Sequence, residues 1–521
     1  MCIWSVKKIA SLSLALMFLA MVFTPFCLWL MSSDQERSGF EKRTLQELPR
    51  CALKWQSLVT FPKRMEKYYR DHFGLRDQLI AWHNLIHVRL FRKSPNDAVT
   101  LGSENWLFYN ADHCLADFLG LWRGNREQFE AWRRIIRDRQ IWLADRGVNY
   151  LVVIVPTKMM VYPQFLPLRI REFAGVAILE EFLRYVRDKD GGHGLVDLLD
   201  PLHELEPYPS FFRTDTHWNG LGAFRAYKVI MEDIRQWYPE ITPLHEARIR
   251  NVSTEFRGDL STMLNLSSQL REQSVRVRIS DPCSREIESD EQGSLLRVES
   301  ECVDNPHTLL MIHDSYGMYI RPFFDETFRR VLYTRTHLPQ LKEVVARESP
   351  SVIVDQVAAR YFSRMLGQDV EITNYVMRKH WRNSKDLRLY IDRDGGGEHL
   401  RSRHHLMRIS HDEKGVLLHA TGPDPHVELR FPHTPVPDSF LIHMELTSPG
   451  ETTMQFFYTT GANPSFVPER VISRELKKGY NELLFRLPHP DIQGRLRFDP
   501  GMIKGSYILH SLRIKGEWYG I

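Results

Sequence analysis

The chain opens on an apolar run. From Ile9 to Met31 there are 23 consecutive uncharged, largely apolar positions, long enough for a helix that crosses a bilayer, with Pro25 placed to kink it. Lys7 and Lys8 precede the run and Asp34 and Glu36 follow it, which puts the N-terminus in the cytoplasm and the remainder outside. The run exceeds the roughly 7 to 15 apolar residues of a cleaved signal peptide, and no A-x-A site follows, so an uncleaved anchor is expected. Residues 55–93 change to helical spacing, with Leu79, Trp82, Leu85, Ile86 and Leu90 on one stripe, an amphipathic helix leading out of the membrane. A turn and short strand at "GSENWLFY" precede a second helical stretch at 125–146. The pattern then becomes continuous: Leu151 to Val155, "TLLMI" at 308–312, "RVLYT" at 330–334 and "VIVDQ" at 352–356 read as strands buried on both faces of a parallel sheet. Helical segments alternate with them, which predicts an α/β layered domain. Near residue 392 "DRDGGGEH" breaks the pattern. After it, short extended runs separated by turn signals at intervals of about ten residues predict a β-sandwich of eight or nine strands. The expected organisation is 1–33 cytoplasmic N-terminus and anchor, 34–94 helical linker region, 95–391 α/β domain, and 392–521 all-β sandwich.

Composition changes this picture little. A chain of 521 residues is too long for one core. Its 69 basic and 65 acidic residues, net +4, are scattered, which excludes the clustered footprint of a nucleic-acid binder. Outside the anchor region lie Cys51, Cys114, Cys283 and Cys302, an even number for an oxidising compartment; Cys283 with Cys302 is the preferred pair, four buried thiols the alternative. His404 and His405 are adjacent and lack the spacing of a metal pair, so no metal is expected. H-E-x-x-H, G-x-S-x-G, G-x-G-x-x-G and G-K-[ST] are absent, which excludes zincins, typical α/β-hydrolases, dinucleotide enzymes and P-loop NTPases.

Two stretches carry chemistry. In "TLLMIHDSYGMYIRPFF" an apolar strand runs into Ser315 just before a helix, the place where α/β sheets bind ligands. The helix start supplies free N–H groups for an oxyanion. In "RTDTHWNGLGAF" Asp215 and His217 lie two residues apart, ahead of Asn219 as a helix N-cap. A serine hydroxyl needs a base within hydrogen-bond reach and a third group to orient that base, and Asp215 with His217 offers both. Each motif alone reads more often as a helix cap, and the two together in one α/β domain leave both readings open.

"DHFGLRDQLI", "WLFY", "PTKMMVYPQFLP", "TDTHWNGLGA", "FRGDL" and "HDSYG" occur in this order between residues 71 and 317. Together they resemble the alginate O-acetyltransferase family of the AlgJ and AlgX type, over roughly residues 55–360. The resemblance implies an SGNH-hydrolase-like fold, circularly permuted because the Asp and His precede the Ser, with Asp215, His217 and Ser315 as the triad. It implies a membrane-anchored periplasmic O-acetyltransferase acting on an extracellular polysaccharide through an acetyl-serine, without a cofactor. The acetyl group would come from a multi-pass acyltransferase of the MBOAT kind in the inner membrane. Trp218, Tyr316, Tyr319 and Arg321 are candidate substrate-binding residues. Two positions depart from the family pattern: His313 replaces a glycine of the serine block, and "VIVDQVAARYF" lacks a Glu-Arg pair. A carbohydrate acetyl esterase using the same triad, and a non-catalytic glycan-binding scaffold of an export complex, are the alternatives. In the sandwich, Phe457, Tyr458, Phe466 and Trp518 are candidate sugar-stacking aromatics.

Overall fold

The computed structural model describes residues 2–31, 36, 43–50, 55–205, 208–289, 295–301, 303–335, 341–365, 367, 369–402, 406–422, 424–461, 463–487 and 491–519. Helix α1 (Cys2–Met31) contains the stretch Ala10–Trp29, of mean hydropathy 2.1, long and apolar enough to cross a membrane. Its Trp29 ring meets Tyr69 edge-on at 5.4 Å, near the end of α2 (Trp55–Asp71). The single helix expected over 55–93 is two. The chain turns at Gly74, where a Cβ would lie 2.1 Å from the Pro25 carbonyl oxygen, and at Leu75, whose φ is 63°. It then continues as α3 (Arg76–Arg89). Only glycine tolerates so close an approach of another helix's backbone.

The α/β layer is built on a seven-stranded sheet. Its strands are β1 (Asn149–Val155), β2 (Leu195–Asp197), β5 (Ser284–Ser289), β6 (Leu295–Ser300), β7 (Thr308–His313), β8 (Arg330–Thr334) and β9 (Val352–Ala358); β3 (Ile249–Phe256) and β4 (Glu272–Ile279) form a separate antiparallel hairpin. The order is β2-β1-β9-β7-β8-β6-β5. The first five strands are mutually parallel and the last two antiparallel. Alternation along each strand feeds two cores: Leu151, Val153 and Val155 face α5 (Gly220–Trp237) and α6 (Gly317–Asp325), while Tyr150, Val152 and Ile154 face α4 (Arg126–Ala144) and α7 (Val370–Asn383). All four apolar runs read as parallel strands are present as such. Residues 284–289 and 295–300 form two further strands that extend the sheet. Their mixed polar pattern belongs to the sheet's margin, where one face meets water. Cys283 is disulfide-bonded; Cys302 lies outside the described residues, and Cys114 is a buried free thiol.

The C-terminal region is a sandwich of a six-stranded and a five-stranded sheet. Its eleven strands among the described residues exceed the eight or nine expected, and they include Leu387–Asp392 (β10), Leu400–Ser402 and Val471–Leu476. The first precedes the Gly-rich break and pairs with the last strand, β13 (Gly505–Glu517). Between them come β11 (Ser439–Ser448) and β12 (Gly479–Leu487), both in the six-stranded sheet. His404 and His405 lie outside the described residues.

Candidate active site

The loop before α5 is fixed by its own backbone and by three outside clamps. Phe211 bridges Trp218, and the Asn219 side chain accepts from Leu221 N and Gly222 N at 3.0 Å each, capping α5. From below, the buried Lys158 ammonium donates to the carbonyls of Phe212 (3.0 Å), Arg213 (3.1 Å) and Asp215 (2.5 Å). Glu272 on β4 accepts from the N–H groups of Arg213 and Thr214, 2.8 Å each. On the third side Asp259 accepts from Thr216 N (2.8 Å) and Thr216 Oγ1 (2.6 Å), and its own N–H donates to Asp215 Oδ2 at 2.7 Å.

Held this way, Asp215 Oδ1 accepts from the backbone N–H of His217 at 2.9 Å and lies 2.7 Å from the ring Nδ1. The far nitrogen, Nε2, lies 2.7 Å from Ser315 Oγ. Burial opposes ionisation of Asp215, but the hydrogen bonds from His217 and the Asp259 N–H outweigh it and hold its carboxyl below the ordinary value. Asp259 is shifted the other way, by burial and by the charge of Asp215. The donor atoms of Asp215, His217 and Asp259 lie within 4.8 Å of one another, close enough to share a cation. They are already engaged: Asp259 with Thr216, Asp215 with His217 and Asp259, and His217 with Ser315. The trio therefore reads as a hydrogen-bonded relay.

Ser315 is exposed, on the turn between β7 and α6 at the C-terminal end of a central parallel strand. Asp314 staples that turn to β9: one carboxylate oxygen accepts from Tyr316 N and Gln356 Nε2, both at 2.9 Å, and the other from Ala358 N at 2.7 Å. His313, the departure from the family glycine, leaves the turn intact. Its ring is buried, donates from Nδ1 to the Asp314 carbonyl at 2.7 Å, and fills the space beside Gly317, where a Cβ would lie 2.3 Å from it. Burial lowers the His313 pKa, favouring a neutral ring.

The candidate substrate-binding residues divide. Trp218 and Tyr316 are buried and spend their polar atoms internally, Trp218 Nε1 on the Tyr316 carbonyl (3.0 Å) and Tyr316 Oη on the Thr216 carbonyl (2.8 Å). They tie the serine turn to the histidine loop. Tyr319 is half-buried, its ring 6.0 Å from that of His217. It forms part of the wall of a cavity of about 690 Å³ between the β3–β4 hairpin and α6. Arg321 stacks over Tyr333 at 4.4 Å. In the sandwich Tyr458 is a core residue and Trp518 is exposed. Arg360, just past β9, was not foreseen: its guanidinium lies over the rings of Tyr361, Tyr109 and Tyr316, at 4.9, 5.4 and 5.8 Å.

Residues 99–304 match the family model described as "SGNH hydrolase-like domain, acetyltransferase AlgX". That stretch is similar to an AlgX-type SGNH hydrolase-like domain. The "Probable alginate O-acetylase AlgJ" of Pseudomonas aeruginosa is 27% identical over 205 residues, 39% of this chain and 49% of its own length. Its counterpart in Pseudomonas syringae pv. tomato is 26% identical over 214 residues, 39% and 50%. The chain thus spans about half the length of the curated relatives it matches. Among solved structures, the O-acetyltransferase domain of Pseudomonas putida AlgJ aligns at 20% identity with a TM-score of 0.35, covering 53% of this chain and 94% of that one. The family match takes in Asp215, His217 and Asp259 and ends before Ser315. Within the matched stretch, Lys158 and Asp259 sit in the "PTKMM" and "FRGDL" blocks, whose sequence signal was visible without revealing their roles as clamps.

Proposed function

We propose that this protein is a membrane-anchored O-acetyltransferase that acts outside the cytoplasm on hydroxyls of a polysaccharide, with Ser315 as nucleophile, His217 as base and Asp215 as orienting group. The observation that carries this reading is the pair of 2.7 Å contacts on either side of the His217 ring, to Ser315 and to Asp215. Ser315 Oγ attacks the carbonyl carbon of an acetyl donor while His217 Nε2 takes its proton. The donor's leaving group departs with that proton, leaving an acetyl ester on Ser315. An acceptor hydroxyl then attacks the same carbon and passes its proton to His217, and Ser315 recovers it on leaving. The Ser315 N–H, at the end of β7, serves the developing oxyanion; the Tyr316 N–H is already taken by Asp314. Helix α1 anchors the chain in the inner membrane with the AlgX-type domain in the periplasm, and the acetyl donor is supplied by an MBOAT-type acyltransferase.

Replacement of Ser315 by Ala in cells removes O-acetylation of the secreted polysaccharide; acetylation at the wild-type level would overturn the reading. In a purified system, acetyl ester consumption by the wild type yields acetylated glycan when glycan is added. Release of free acetate unaffected by glycan would identify an esterase instead.

A further inference from the structure

Helix α3 is apolar on two faces, and among the described residues only one is covered. Ala81, Leu85 and Val88 pack into a small core with Val99, Leu107, Leu260 and Leu264. On another face Leu79, Trp82, Ile86 and Leu90, spaced by three and four residues, lie open, with Trp82 70% and Leu90 71% exposed and Phe91 beside them. A helix with apolar residues on both sides is expected to be buried on both, and a contiguous exposed stripe of this kind marks a contact surface. Two observations identify what covers it. The stripe lies just beyond the Gly74 corner, where the chain touches Pro25 of the bilayer-length helix α1. The surrounding segment, residues 55–93, also carries eight Lys or Arg against three Asp or Glu in a chain whose total is only +4. Tryptophan and leucine flanked by basic residues suit the boundary between acyl chains and anionic headgroups.

We propose that α3 lies in the interface of the same bilayer that α1 enters, with Trp82, Ile86 and Leu90 in the acyl boundary, and that it thereby sets the height of the triad above the membrane. This rests on the anchor reading given above. The link to the triad is short. Asn84 on α3 donates to the Leu264 carbonyl at 2.7 Å, and Asn265 donates back to the Asp77 carbonyl at 2.8 Å. Residues 259–264 begin with Asp259, whose N–H holds Asp215. The membrane-facing helix therefore forms the floor of the segment that buttresses the catalytic carboxylate.

The test uses the full chain in nanodiscs of phosphatidylglycerol and phosphatidylethanolamine, with a benzophenone amino acid in place of Trp82 or, as a control, of the exposed sandwich residue Tyr480. Irradiation is expected to give lipid adducts at position 82 in at least tenfold the yield at 480. Equal yields, or crosslinks at 82 only to another polypeptide in native membranes, would overturn the proposal. The triple variant Trp82→Ser, Ile86→Ser, Leu90→Ser changes outward side chains only. It is expected to keep acylation of Ser315 by a soluble acetyl ester in detergent while losing at least tenfold in glycan acetylation in vesicles; undiminished vesicle activity would overturn the coupling to the triad. Absence of Ser315 acylation in the wild type would overturn the catalytic reading instead, with the lipid adducts still deciding the placement of α3.

Discussion

Lys158 shows how much of this site depends on a residue that touches no reactant. Its ammonium is fully enclosed, with the rings of Phe108 and Trp106 at 5.5 and 5.7 Å, and burial lowers its pKa to about 8 against the pull of the nearby carboxylates of Asp215, Glu272 and Asp259. Three carbonyls of the histidine loop converge on its three hydrogens, so one charge satisfies backbone groups that would otherwise be buried without partners. Lys158→Met should cost about 3 kcal/mol of stability, measured by denaturant unfolding. Because the loop carrying Asp215 and His217 is then free to shift, kcat for acetyl transfer should fall on the order of 100-fold. The same local logic explains what was legible in the sequence. The Asp-x-His pair and the Ser after a strand each follow from spacing along one segment. The clamps do not, since Lys158, Asp259 and Glu272 meet the loop only through contacts 43 to 59 residues apart in the chain. The burial of Trp218 and Tyr316 was not legible for the related reason that a conspicuous aromatic beside a site looks the same in sequence whether it is enclosed or open.

At the scale of elements, α6 has two duties. Its first turn follows Ser315, and its far end carries Asp325 into the wall of the cavity under the β3–β4 hairpin. Burial raises the Asp325 carboxyl to about 7, only partly offset by a hydrogen bond from Tyr333 at 2.6 Å and the charge of Arg321. Between the ordinary value near 3.8 and about 7 the folded protein therefore binds more protons at this residue than the unfolded chain. Its contribution to stability is present at low pH and lost as pH rises through that window. Asp325→Asn keeps an acceptor for Tyr333 and cannot ionise. It should be more stable than the wild type by on the order of 2 kcal/mol at pH 8, with the difference gone at pH 4, as read from melting temperatures across that range. The parallel strands around this helix were readable because their runs are apolar without interruption. The hairpin that roofs the cavity was missed although Val275, Val277 and Ile279 alternate with Arg276 and Arg278, the period of a half-buried strand.

At the scale of the whole molecule, the α/β layer and the sandwich are joined by buried charge. Arg486 on β12 donates to Asp138 on α4 at 2.9 Å and, through two nitrogens, to Glu517 on β13 at 2.6 Å each. Glu517 also lies 2.7 Å from His380 Nδ1 on α7. All three members of the central cluster are buried. Burial would push Glu517 up, but Arg486 and His380 outweigh it and hold it down to about 2. The stabilisation this gives is present above the ordinary value near 4.5 and is lost as pH falls toward about 2. An arrangement of this kind gives modest net stability when complete, because both charges have been taken out of water, yet breaking it is costly because a charge is then left buried and alone. Arg486→Met strands two carboxylates at once. It should lower the unfolding free energy by about 3 to 5 kcal/mol at neutral pH, with the deficit shrinking as the pH is lowered and the orphaned carboxylates take up protons. Urea midpoints at pH 7 and pH 4 distinguish this from a loss of packing, which would be the same at both. If the junction also holds the two layers in register for the proposed polysaccharide substrate, glycan acetylation should fall in the same variant while acylation of Ser315 by a small soluble ester is retained, since the hydrogen bonds of Arg486 run to Asp138 and Glu517, away from the triad loop and its clamps.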